Sequence, residues 1–87
     1  PSVFGHSDFQ ALKYWITEDM ESLVFDFGEK QPDLEIQLFD VFGRRLFAST
    51  ANRAKFSVPL NGLTAGIYIF TLEHDGSFYS GKIVLNR

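Results

Sequence analysis

Leu63-Thr64-Ala65-Gly66-Ile67-Tyr68-Ile69-Phe70-Thr71-Leu72 is a polar turn running into a strand that is apolar on both sides. Successive side chains of a strand point to opposite faces, so Ile67, Ile69 and Thr71 share one face and Tyr68, Phe70 and Leu72 the other. A strand able to bury both sides is predicted near the middle of a sheet, with something covering each face. Gly66 just before it marks a backbone position that a Cβ would strain, or a close approach of two chains.

The sequence on either side reads as further strands. Residues 9–17 are β-prone around Tyr14-Trp15-Ile16, and that run argues against a rival helix over residues 8–20. After a turn at residues 18–21, Leu23, Phe25 and Phe27 share one face of a second strand. A loop over residues 28–33 holds Pro32, which is barred from a central ladder position. Residues 34–38 alternate as a half-buried third strand, the chain turns at 40–43, and residues 44–50 return it. Residues 54–60 supply a fifth strand with Phe56, Val58 and Leu60 inward and Pro59 marking an edge. Residues 61–65 cross over, with room for one helical turn, to the strand quoted above. Asp75-Gly76 favours a two-residue hairpin, and residues 78–85 close the domain. The Gly-x-Tyr spacing also matches the corner of immunoglobulin-like sandwiches, where a Tyr ties its hydroxyl to upstream backbone. The predicted fold is all-β, an immunoglobulin-like antiparallel β-sandwich of about seven strands. Residues 1–8 read as a linker tail and residues 9–87 as the domain.

Composition fits this plan and narrows the function. Eighty-seven residues make one small domain with a modest core. Ten Phe, three Tyr and one Trp supply large buried area per residue, which puts Trp15 in the core. There is no Cys, hence neither a disulfide framework nor a thiolate zinc site. Net charge is −3 with no basic run, so nothing favours nucleic acid or an anionic membrane surface. No apolar run reaches the roughly 18 residues of a membrane span, and residues 1–30 lack the pattern of a signal peptide. The chain begins at Pro1 rather than Met and is read as a piece of something longer.

Catalytic constellations are missing. There is no Cys nucleophile, no Gly-x-Ser-x-Gly elbow and no phosphate-cradling glycine loop. His6 with Asp8, and His74 with Asp75, offer a general base or metal ligand, but read more simply as polar residues of a tail and a hairpin turn. Glu18, Asp19 and Glu21 lack the glycine and ligand spacing of a calcium loop and read as a solvated turn. The expectation is a non-enzymatic domain without metal or cofactor.

Three short patterns remain. In Ile36-x-Leu38-x-Asp40-x-x-Gly43-Arg44, Asp40 can accept a hydrogen bond from backbone two residues on, and Gly43 can take the left-handed position. Arg44 and Arg45 then cover an edge with charge or pair with Asp40. Leu63-x-x-Gly66-x-Tyr68 is the corner, and Lys82-Ile83-Val84 lies on the last strand. Taken singly, each is explained by architecture.

Taken together, in this order and this close to Arg87, the three patterns resemble the C-terminal sorting domain (type A) of the type IX, or Por, secretion system of Bacteroidetes. The resemblance covers residues 34–87. The first third matches less well, for Pro1-Ser2-Val3-Phe4 stands where many members carry a Pro-Asn-Pro-like segment. The resemblance implies a signal rather than a catalyst. Members cross the inner membrane by an ordinary signal peptide, and the folded domain is recognised in the periplasm by the outer-membrane machinery. Their cargo reaches the cell surface or is secreted. A sortase-like peptidase commonly removes the domain and joins the cargo to an anionic lipopolysaccharide, although some members keep it. On this reading recognition falls on Asp40, Gly43 and Arg44, on Leu63, Gly66 and Tyr68, and on Lys82, Ile83 and Val84 with the terminal Asn86 and Arg87.

The competing expectation is a carbohydrate- or protein-binding module of a surface protein, with Tyr14, Trp15, Phe42 and Tyr79 as an aromatic platform. A mere spacer is a third. An exposed edge strand would also allow two copies to pair or swap strands.

Overall fold

The computed structural model describes residues 12–28, 33–74 and 76–87. Among the described residues seven strands form two antiparallel sheets. They are β1 (Lys13–Ile16), β2 (Ser22–Asp26), β3 (Leu34–Asp40), β4 (Arg45–Ala51), β5 (Lys55–Pro59), β6 (Gly66–His74) and β7 (Ser77–Leu85). One sheet has the order β1-β2-β5 and the other β4-β3-β6-β7. This is the expected immunoglobulin-like sandwich.

The core forms where the alternating strands of the two sheets face each other. Leu23 and Phe25 from β2 and Val58 from β5 meet Ile36, Leu38, Phe70 and Leu72 from the larger sheet, all essentially without solvent contact. Phe70 is the hub. Its ring meets Phe25 edge-to-face at 4.9 Å and Tyr14 at 4.8 Å, and lies 5.9 Å from Tyr79. Edge-to-face pairs add to simple area burial, which suits a domain too small for a deep core.

Several expectations are corrected. β6 is internal to its sheet, as its pattern requires, but only its Tyr68-Phe70-Leu72 face is covered. Ile67 remains 43% exposed, because the sandwich has two layers and no described element lies over the outer face. Trp15 is not in the core. On β1 it is opposite Val24 of β2 and 42% exposed, and the Lys55 ammonium stands 5.9 Å from its ring. Alternation decides this: Tyr14 takes the inward position, so its neighbour must point out. The crossover at residues 61–65 is a hydrogen-bonded turn rather than a helical one, with Leu63 N–H donating to the Leu60 carbonyl at 3.1 Å. β3 runs on to Asp40, beyond the expected end at Leu38, and β1 is described only over Lys13–Ile16. His6, Asp8, Pro32 and Asp75 lie outside the described residues.

Candidate recognition site

The three sequence patterns converge at one end of the larger sheet. Asp40 at the end of β3 is opposite Tyr68 on β6, and Tyr68 is opposite Ile83 on β7. Gly66 is opposite Leu85 in the same way. Residues up to 43 positions apart in sequence thus meet in one row across three adjacent strands, and the β3–β4 turn, the β5–β6 connection and the C-terminus share this end.

The β3–β4 turn is built on one carboxylate. Asp40 Oδ1 accepts from Phe42 N–H at 2.9 Å and Arg44 N–H at 3.0 Å, while Oδ2 accepts from Arg44 Nε at 2.7 Å. Its carbonyl accepts from Gly43 N–H at 3.1 Å, and Gly43 has φ of +85°, where an L side chain is strained. Partial removal from water pushes the Asp40 carboxyl upward, but the Arg44 backbone, the Arg44 guanidinium and the Phe42 backbone outweigh it and hold its pKa below the ordinary value. The effect is to project Phe42, 81% exposed, with the Arg44 guanidinium 5.7 Å from its ring. Asp40 and Gly43 therefore set shape, while Arg44 and Phe42 are presented to solvent.

The second pattern is a tyrosine corner. Tyr68 Oη donates to the Thr64 carbonyl at 2.6 Å, which pins the polar stretch before β6 to the strand's own first turn of sheet. Gly66 has φ of +150°, again a value suited to glycine, and Leu63 packs partly buried against the core. In the third pattern, side chains alternate: Ile83 is buried, whereas Lys82 and Val84 are exposed. Asn86 is exposed, and Arg87 reaches back across the sandwich. Its Nη2 donates to the carbonyls of Met20, at 2.7 Å, and Leu60, at 3.0 Å, so the last residue clasps the β1–β2 turn and the end of β5.

The aromatic platform is not assembled. Tyr14 turns inward to Phe70, Tyr79 stacks on the same ring, Trp15 faces out from the smaller sheet, and Phe42 tops a turn of the larger one. Two features were not read from sequence. Gly81 is one, since the Phe70 ring lies over it, and the cue was a lone glycine opposite an aromatic. The outward pair Ile67 and Val84 is the other, signalled by the two-sided apolarity of β6.

Compared with models of known families, the chain matches that of the secretion system C-terminal sorting domain over residues 19–86, which hold β2 to β7. No curated protein matches it. The match spans most of the chain and contains all three converging patterns except the last residue, Arg87. The chain belongs to the C-terminal sorting domains of the type IX secretion system.

Proposed function

We propose that the type IX outer-membrane machinery reads this domain at the end where the Asp40–Arg44 turn, the Leu63–Tyr68 corner and the Lys82–Arg87 terminus converge. The observation that carries the reading is the buried row Asp40, Tyr68 and Ile83 across three strands, which brings three distant patterns to one end of the sheet. Gly43, Gly66 and Tyr68 fix its shape, Leu63 and Ile83 anchor it to the core, and Arg44, Lys82, Val84 and Asn86 meet the partner. Arg87 holds the terminus in place.

Chain direction supports the same view. β1 starts at Lys13, opposite Asp26, at the pole away from this end, so cargo attached upstream leaves the recognition surface clear. A sortase-like peptidase then cuts upstream of β1 and joins the cargo to anionic lipopolysaccharide, after passage through the periplasm to the cell surface. β7 is an edge strand of its sheet among the described residues, which supports backbone pairing with a strand of the translocon and would serve equally for pairing with a second copy.

The test fuses residues 1–87 behind a signal peptide and a fluorescent reporter in a bacterium with the type IX apparatus. The intact fusion is expected at the cell surface, shortened by the domain's mass, and a copy lacking residues 82–87 in the periplasm. Equal surface display of both would overturn the proposal.

A further inference from the structure

The outer face of the larger sheet carries a pattern that the fold does not need. Strand register sets Arg45 opposite Phe39, Phe39 opposite Ile69 and Ile69 opposite Lys82. This row crosses all four strands with a cation at each edge and two apolar side chains between. Two residues nearer the recognition end, Ile67 and Val84 oppose each other, 43% and 49% exposed. At the far end of the same face Glu35 is opposite Glu73. Among the described residues neither Arg45 nor Lys82 forms an ion pair.

A solvent-facing strand side ordinarily carries polar residues, and isolated lysines at sheet edges merely block edge pairing. Neither rule accounts for four neighbouring apolar side chains, Ile67 and Val84 exposed and Phe39 and Ile69 half-buried, on a face that no described element covers. A contiguous apolar patch rimmed by charge marks an interaction surface.

We infer that this face docks a segment of a partner protein whose apolar side chains are flanked on both sides by carboxylates. The inference rests on the sorting reading above and names the chemistry the machinery brings to it. Charge chooses the occupant. Cations border the apolar strip on both edges, and the Glu35–Glu73 pair turns an acidic segment away from the far end. Strands about 4.8 Å apart leave roughly 14 Å between Arg45 and Lys82, room for one helix about 10 Å across lying along the strands. A second copy placed row on row fits badly, because it would bring these cations against themselves. An anionic lipid surface fits badly too, since the chain carries −3 overall and two carboxylates on this very face.

The experiment compares surface display of the reporter fusion for the intact chain, R45E/K82E, and R53E/K55E, which makes the same charge change elsewhere. Arg45→Glu with Lys82→Glu is expected to lower the surface share about tenfold, and the control less than about twofold. Melting temperatures of the purified chains check folding, and R45Q/K82Q carries the test if charge reversal destabilises the domain. If the intact fusion itself stays inside, the sorting reading fails. If it is displayed and R45E/K82E is displayed equally, the docking inference alone is overturned. Co-sedimentation of the intact chain, but not R45E/K82E, with phosphatidylglycerol vesicles would also overturn it, in favour of a lipid surface.

Discussion

The ring of Phe70 lies over Gly81 so closely that a Cβ built on the glycine would stand 2.4 Å from Cζ and 2.7 Å from Cε2. The two residues are directly opposite on β6 and β7, and the ring that covers the glycine is the same one that packs against Phe25 across the sandwich. The glycine makes room for the core's central aromatic.

Gly81→Ala therefore overpacks the core, with an expected loss of about 1–3 kcal/mol in unfolding by denaturant. Pairing it with Phe70→Leu should give a total smaller than the sum of the two single changes, because the clash is then gone. An unchanged midpoint for Gly81→Ala would contradict the packing described.

Tyr68→Phe removes the hydroxyl that donates to the Thr64 carbonyl and keeps the ring. The expected cost is about 0.5–1.5 kcal/mol, read in the same assay. No loss would mean that the corner is held by packing alone.

Asp40 gives the domain an acid-sensitive turn. Its carboxyl has a lowered pKa in the folded chain, so its contribution is complete above the ordinary aspartate value, about 3.9, and is lost as pH falls through the lower folded value. Asp40→Asn lacks this contribution at every pH. The gap in melting temperature between the two proteins should be widest near neutrality and shrink below about pH 4. Asp19, also lowered, is common to both and cancels. A gap that does not change with pH would contradict the account.

Trp15 tests the smaller sheet. Being 42% exposed, it should emit toward the red and be quenched by added iodide, and Lys55→Glu should weaken the iodide effect by removing a neighbouring cation. Blue-shifted emission without quenching would place Trp15 in the core and contradict the register of β1.

What the sequence disclosed followed physical rules. Alternation located β3 and β5, Gly-x-Tyr foretold the Tyr68–Thr64 bond, and Asp-x-x-Gly-Arg foretold the Asp40 turn, because each depends on neighbours in the chain. Trp15 was misplaced because composition says that aromatics are buried but not which of two adjacent ones, Tyr14 or Trp15, turns inward. The two-sided apolarity of β6 predicted a covered outer face, yet it cannot say whether the cover belongs to the same chain. Convergence of Asp40, Tyr68 and Ile83 was hidden for another reason, since it depends on strand order and register, which no local pattern reveals.

The most direct measurement of the central claim is the surface-to-periplasm ratio of a reporter carrying residues 1–87. It is taken in cells with the type IX translocon and in the same cells lacking it. The account predicts surface reporter only where the translocon is present, and periplasmic reporter otherwise. Equal ratios in the two strains would contradict the assignment of this domain as a type IX sorting signal.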